Sequence, residues 1–269
     1  MTETNVSKGL KNFPIVAIGA SAGGLEAFLS FFSGIPIDTS PSMAFVLIQH
    51  LAPQHKSILA EIIQNNTHLK VFEIEDGMEI QESCIYIIPA KNDITIKNST
   101  FQLIEAIKVN GIHLPINFFF QSLANDQNEN AVGIILSGTG SDGAKGIVNI
   151  HTNGGIVFAQ TPISAEYNGM PQSAISTGIV DYELLPEKMA GKIEEILKSK
   201  LLKKNNSNDN LILNSSSLIS DILLILRRKT NHDFSLYKLN TIQRRIERRM
   251  NVNQIRDLQN YVDFLKNNP

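Results

Sequence analysis

The sequence predicts an α/β protein: a doubly wound, mostly parallel sheet with helices on both faces, followed by a small all-α C-terminal subdomain. Through the first 200 residues, short and wholly apolar runs alternate with stretches at helical spacing. Strands that are apolar on both sides belong to parallel sheets covered on both faces. After residue 214 the strand-like runs cease and only helical patterns remain. The charge divides in the same place. Residues 201–269 hold 12 Lys+Arg against 6 Asp+Glu, whereas residues 1–200 hold 12 against 20. A split of that kind marks two units with different partners.

The elements follow in order. Ile15–Ile18 is a β-branched run bounded by Pro14 and Gly19, a buried strand. Leu25, Phe28, Leu29 and Phe32 then fall at helix spacing. Ala44–Gln49 is the second strand, Lys56–Asn65 a helix, and Lys70–Ile74 and Ile85–Ile88 two more strands. Ile94–Lys97 and Phe101–Glu105, joined by Asn98-Ser99-Thr100, form a hairpin. A helix over Pro115–Ala124 leads to the apolar strand Ala131–Leu136. Then come the loop SGTGSDGA, a helix to His151, the strand Ile156–Ala159, a long loop, and a helix over Pro186–Leu202. Lys203–Asn214 is Asn-rich and reads as a linker. Helices follow over Leu218–Lys229, Thr241–Met250 and Ile255–Lys266. In the second of these Leu239, Ile242, Ile246 and Met250 mark an apolar face, and Arg244, Arg245, Arg248 and Arg249 fall largely away from it. The expected organisation is a tail over 1–12, an α/β domain over 13–202, a linker over 203–214 and a helical subdomain over 215–269.

With 42% hydrophobic and 19% charged residues the chain has a globular composition. Its one cysteine, Cys84, excludes an internal disulfide and reads as a small core residue. No Cys/His cluster has zinc spacing, so neither a metal nor another cofactor is expected. The amino terminus has no apolar signal region and no run approaches membrane-spanning length. A soluble, cytoplasmic chain without membrane insertion is expected.

The chemistry gathers at the ends of three strands. Gly19-Ala20-Ser21-Ala22-Gly23 fits the nucleophile-elbow pattern G-x-S-x-G. Two other readings of this turn stand beside it: a phosphate-binding glycine turn and a plain helix N-cap serine. The Rossmann fingerprint wants glycine where Ser21 stands and an acidic residue at the end of the second strand, which here ends Gln49-His50. Functional groups in open parallel sheets lie beyond the carboxyl ends of strands. Ser21, His50 and Asp142 all occupy such ends and together make a hydrolytic set: nucleophile, general base and orienting carboxylate. The backbone N–H groups at Ala22 and in Gly138-Thr139-Gly140 are candidate oxyanion donors. The order Ser…His…Asp differs from that of α/β-hydrolases.

Four motifs identify a family resemblance: IGASAGG at 18–24, VLIQHL at 46–51, ILSGTGSDGAKG at 135–146 and QTPISAEYNGMPQSAI at 160–175. Residues from about Phe13 to Lys198 resemble the catalytic domain of chemotaxis-type protein-glutamate methylesterases. The resemblance implies hydrolysis of γ-glutamyl methyl esters, and deamidation of glutamines, on receptor signalling helices. It assigns the triad to Ser21, His50 and Asp142 and the oxyanion amides to Ala22 and Thr139. His113 and Met170 are candidates for the substrate cleft, with a structural role the other reading of His113. Ala22 stands where the family often has Thr, Thr139 where it often has Met, and Asn117 where it usually has Asp. His55 reads as a surface residue. About a dozen residues precede the first strand, so control by an attached receiver domain is not expected. Partner response regulators or sensor domains would act instead.

From about Ser216, the stretch FSLYKLNTIQRRIERRM followed by LQNYVDFLKNNP resembles the amino-terminal helical subdomain of chemotaxis receptor methyltransferases. That resemblance implicates Arg244, Arg245, Arg248 and Arg249 in docking an acidic receptor helix; the other reading is a plain solvated basic face. Without interleaved aromatics these arginines do not form a nucleic-acid site. The chain stops before any S-adenosylmethionine-binding domain, so methyl transfer is not expected of it. It reads as the front part of a methylesterase–methyltransferase fusion. The rivals to the esterase reading are a catalytically silent interaction module on the same fold and a nucleotide-binding domain.

Overall fold

The computed structural model describes residues 13–49, 56–89, 92–106, 108–109, 112–205, 209–230, 232–234, 239–253, 255 and 257–267. Contacts divide the chain into two compact units, Met1–Glu194 and Glu195–Pro269.

In the first unit the strands are β1 (Ile15–Ala20), β2 (Ala44–Gln49), β3 (Lys70–Glu73), β4 (Cys84–Ile87), β5 (Asn92–Lys97), β6 (Thr100–Glu105), β7 (Lys108–Val109), β8 (Ile112–His113), β9 (Ala131–Ile135), β10 (Ile156–Gln160) and β11 (Tyr182–Leu184). Its helices are α1 (Gly24–Ser33), α2 (Lys56–Asn65), α3 (Pro115–Gln127), α4 (Ala144–Thr152) and α5 (Gly169–Ser176), with α6 (Pro186–Asn205) running across the division. Seven strands form one sheet in the order β11-β10-β9-β1-β2-β4-β3, and every pairing in it is parallel. The chain leaves β1 towards β2 on one side and leaves β9 towards β10 on the other. The crossovers therefore diverge at the β1–β9 pair. Such a switch point opens a crevice beyond the strand ends.

Both faces of this sheet are buried, and the period-2 alternation of side chains shows by what. Ile15, Ala17, Val46, Ile48, Ile135 and Val157 belong to one buried cluster with Ile116, Phe119 and Phe120 of α3 and Ile147 and Ile150 of α4. The intervening residues Val16, Ile18, Phe45, Leu47 and Ile134 are equally buried on the opposite face. There the α1 rings of Phe31 and Phe32 meet Phe45 edge-on at 5.7 and 5.5 Å between centroids. Each such buried side chain stabilises the fold by about 1.5–3 kcal/mol. Tyr86 lies in the cluster with α3 and α4, where its hydroxyl accepts the Gln81 N–H at 2.7 Å and burial pushes its pKa up to about 12.

The β5–β6 hairpin turns through Asn98 and Ser99, both with positive φ (51° and 58°), the geometry of a two-residue hairpin loop that matches strand twist. The Asp126 carboxylate on α3 accepts the N–H groups of both residues, at 2.6 and 3.1 Å, and ties the hairpin to that helix.

Three differences from the sequence-based expectation have physical causes. The long loop before α6 contains a short helix, α5, and an edge strand, β11. α5 carries Gly and Pro in its first turn, and β11 has only three residues and a partner on one side, so neither shows a periodic pattern. The two-stranded ribbon of β7 and β8 is likewise too short to have a period. Finally, the polar stretch 203–214 is helical in its described parts: α6 continues to Asn205 and α7 (Asp209–Thr230) begins within it. Polar residues in a helix and in a linker look alike in sequence.

The second unit contains α7, α8 (Leu239–Val252) and α9 (Leu258–Asn267). Ile219 and Ile222 of α7, Ile242, Ile246 and Met250 of α8, and Tyr261 and Val262 of α9 form its buried cluster. Leu239, expected on the apolar face, is instead 52% exposed at the first residue of α8, where the helix has no preceding turn to cover it. Arg245 and Arg249 are exposed; the side chains of Arg244 and Arg248 lie outside the described residues. Among the described residues no helix is long and apolar enough to cross a membrane.

Candidate active site

Ser21 follows β1 directly. The turn closes at Gly23, whose φ of 68° is left-handed and therefore suits glycine, and α1 begins at Gly24. Gly23 is the N-cap and no side chain caps the helix, so the plain N-cap role for Ser21 does not hold. The backbone of Ser21 is tied at both ends. Its N–H donates to the Ser137 carbonyl at 3.0 Å, and its carbonyl accepts from the Gly24 N–H at 3.0 Å and from Gln49 Nε2 at 3.2 Å.

Asp142 lies in the loop between β9 and α4, one residue before Gly143, whose φ is 88°. It is buried, and its carboxylate accepts three backbone N–H groups: Ile116 at 3.0 Å, Asn117 at 3.0 Å and Gly143 at 2.8 Å. The first two open α3, whose own N-cap, Leu114, offers no side-chain bond and whose first residue is Pro115. Asp142 thus supplies the cap that α3 lacks, in a charge-assisted form that also suits the positive end of the helix. Asn117 returns the service: its Oδ1 accepts the Gly146 N–H at 2.8 Å in the first turn of α4. Two helix N-termini are capped across each other at the rim of the sheet.

Ser137 joins the loops. Its buried hydroxyl donates to the Ala22 carbonyl at 2.9 Å and accepts the Tyr167 N–H at 3.0 Å. Its own N–H donates to Gln160 Oε1 at 2.9 Å. Gly138 pairs with both Tyr167 and Met170 through the backbone at 2.8 Å. A Cβ at Gly138 would fall on Met170 Sδ and within 3.1 Å of Ser21 Cβ, so the close approach of this loop to Ser21 depends on glycine.

The described residues thus place Ser21 and Asp142 in loops beyond adjacent strands, β1 and β9, at the switch point. His50, the residue after β2, lies outside the described residues, as does His55. The N–H groups of Ala22 and Thr139 donate to no acceptor among the described residues. Met170 is buried beneath the Gly138 loop, and the His113 ring is hydrogen-bonded to the buried Asp93 carboxylate at 2.7 Å. A cavity of about 340 Å³ opens behind the turn, edged by Gly23, Ser137, Glu26, Glu166 and Glu187; Ser21 does not line it. Among the described residues no group of three or more His, Cys, Asp or Glu side chains is placed to hold a metal ion.

Three residues of this rim escaped the sequence reading: Gln49, Ser137 and Gln160. Gln49 and Gln160 had a signal, being polar side chains that end otherwise apolar strands. Ser137 had none apart from the motif around it.

Comparison with known proteins identifies relatives of both parts of the chain. Residues 16–193 match the protein-family model described as CheB methylesterase, and residues 218–269 match the one described as CheR methyltransferase, all-alpha domain. A Leptospira interrogans protein is 32% identical over 180 residues, which are 66% of this chain and 92% of that protein. A Shewanella protein named protein-glutamate methylesterase/protein-glutamine glutaminase 2 is 33% identical over 198 residues, 72% of this chain and 56% of that one. A Rhodobacter capsulatus protein of uncharacterised function is 32% identical over 227 residues, and the chain spans only 24% of its length. Among solved structures, the catalytic domain of Thermotoga maritima CheB methylesterase superposes with a TM-score of 0.64 at 29% identity, covering 69% of this chain and all of that one.

Proposed function

Because this chain belongs to the CheB methylesterase family, we propose that it is a serine esterase that hydrolyses γ-glutamyl methyl esters on methylated receptor or signalling-protein helices. The observation that carries this reading is the shared rim: Ser21 and Asp142 beyond neighbouring strands, with the Ala22 and Thr139 amides meeting no acceptor among the described residues.

In this mechanism His50 takes the Ser21 hydroxyl proton as the oxygen attacks the ester carbonyl. The carbonyl oxygen becomes an oxyanion, held by the N–H groups of Ala22 and Thr139. His50 then returns the proton to the leaving methoxide. Methanol departs and a glutamyl ester on Ser21 remains. Water, deprotonated by His50, completes the hydrolysis. A glutamine side chain enters the same path with ammonia as the leaving group. Asp142 orients the imidazole and stabilises its charged form. Backbone N–H groups occupy three of its roughly four lone-pair directions and fix its carboxylate in place. The exposed Arg245 and Arg249, with Arg244 and Arg248 on the same helix, would dock an acidic receptor helix.

The deciding experiment measures methanol release from a glutamyl-methylated receptor helix, with Ser21→Ala alongside and phosphonate labelling of Ser21 as a second readout. Release and labelling by wild type, both lost in the variant, are expected. Activity should also rise with pH across the neutral range, because a histidine base must be unprotonated. A flat profile with chemistry rate-limiting would remove His50 from that role.

A further inference from the structure

We propose that Gln49 is a positioning residue that aims the oxyanion-binding amide of Ala22; this rests on the esterase reading above. In a trans peptide the carbonyl and the N–H point in opposite directions from one rigid plane. The N–H of Ala22 shares its peptide with the carbonyl of Ser21. That carbonyl is held by two donors, the Gly24 N–H at 3.0 Å and Gln49 Nε2 at 3.2 Å. Fixing the carbonyl end fixes the direction of the amide end, and the amide end meets no acceptor among the described residues. The next peptide is held as well, because the Ala22 carbonyl accepts from Ser137 Oγ at 2.9 Å. Ser137 and Gln49 therefore brace the Ala22 amide from either side. A donor on the Ser21 carbonyl also polarises the peptide and strengthens its N–H as a donor.

A second observation shows that Gln49 is not there for packing. Its Oε1 is buried and has no hydrogen-bond partner among the described residues. The amide cannot be turned to relieve this, since Oε1 would then oppose the Ser21 carbonyl oxygen, acceptor against acceptor. An apolar side chain of similar length would fill the space without an orphaned acceptor. Gly24 makes the approach feasible: a Cβ there would sit 3.1 Å from Gln49 Nε2. The glutamine is a stability liability held against the nucleophile turn.

The test uses the full chain with Gln49→Met and Gln49→Glu. In Gln49→Met, kcat for methanol release should fall about tenfold to a hundredfold, less than the complete loss of an oxyanion donor, with KM within about twofold of wild type. Its Tm should be unchanged or higher, because the orphaned acceptor is gone. Affinity for a glutamyl boronate, a mimic of the tetrahedral intermediate, should fall by the same factor as kcat/KM. In Gln49→Glu the neutral acid donates O–H to the Ser21 carbonyl, whereas the ionised form repels it. Its rate relative to wild type should therefore decrease as pH rises, opposite in sign to the wild-type profile itself. Wild-type kcat in Gln49→Met, or parallel losses of Tm and kcat in both variants at a pH-independent ratio, would overturn the assignment. Wild type that neither releases methanol nor takes the phosphonate overturns the esterase reading, and this role falls with it.

Discussion

The two loops at the switch point solve opposite problems with the same chain path. The turn from β1 to α1 and the loop from β9 to α4 both leave an apolar strand and enter a helix through a left-handed glycine, Gly23 and Gly143. In the first, the main chain supplies the ties. Ser21 is bonded through its N–H and its carbonyl, and among the described residues no bond that holds the turn runs through its hydroxyl. In the second, the side chain is itself the tie: the Asp142 carboxylate holds the first turn of α3. A nucleophile must be free to move its proton, whereas an orienting carboxylate must stay put. On the esterase reading, function and stability are therefore separable at Ser21 and inseparable at Asp142.

Four substitutions test that contrast, in decreasing order of effect. Ser21→Ala should cost at least about a thousandfold in methanol release, as losing the nucleophile does, with stability within about 0.5 kcal/mol of wild type in urea unfolding. A large loss of stability would erase the distinction between the loops. Asp142→Asn should reduce activity on a similar scale and also destabilise by about 1–3 kcal/mol, because an amide has one acceptor oxygen for three N–H groups. Unchanged stability would show that the cap is dispensable. Gly138→Ala should cost about 1–3 kcal/mol through overpacking against Met170 and should slow the reaction by crowding Ser21. Wild-type rates in this variant would mean that the loop yields without moving the nucleophile. Smallest is Asn117→Ala, which removes the return cap on α4 and should cost about 1 kcal/mol by thermal unfolding. Asn117→Asp keeps the acceptor and should recover most of that. If it does not, repulsion from Asp142 outweighs the favourable helix end.

Much of this site was visible as residue types at strand ends. Ser21 and Asp142 stood out because a hydroxyl and a carboxylate broke small, glycine-rich turns after apolar runs. Asn117 stood out only as a departure from a family pattern, and its use was not legible. It caps a helix that starts 27 residues further along the chain. Ser137 was hidden for the same reason, since its partners Ala22 and Tyr167 are 115 and 30 residues away. His113 hydrogen-bonds Asp93, 20 residues away and on a separate two-stranded sheet, a partner that no local pattern announces.

The sequence by itself determined what is local: which of the apolar runs are strands, where β1, β2 and α2 lie, and which side chains stand just past strand ends. Hydrophobic period, turn chemistry and glycine placement act over a few residues, so a few residues suffice to read them. Only the tertiary structure decided the strand order, the reciprocal capping of α3 and α4, and the bracing of the Ser21–Ala22 peptide. Each of those is a hydrogen bond between groups far apart in the chain, and no local pattern specifies a partner at that distance.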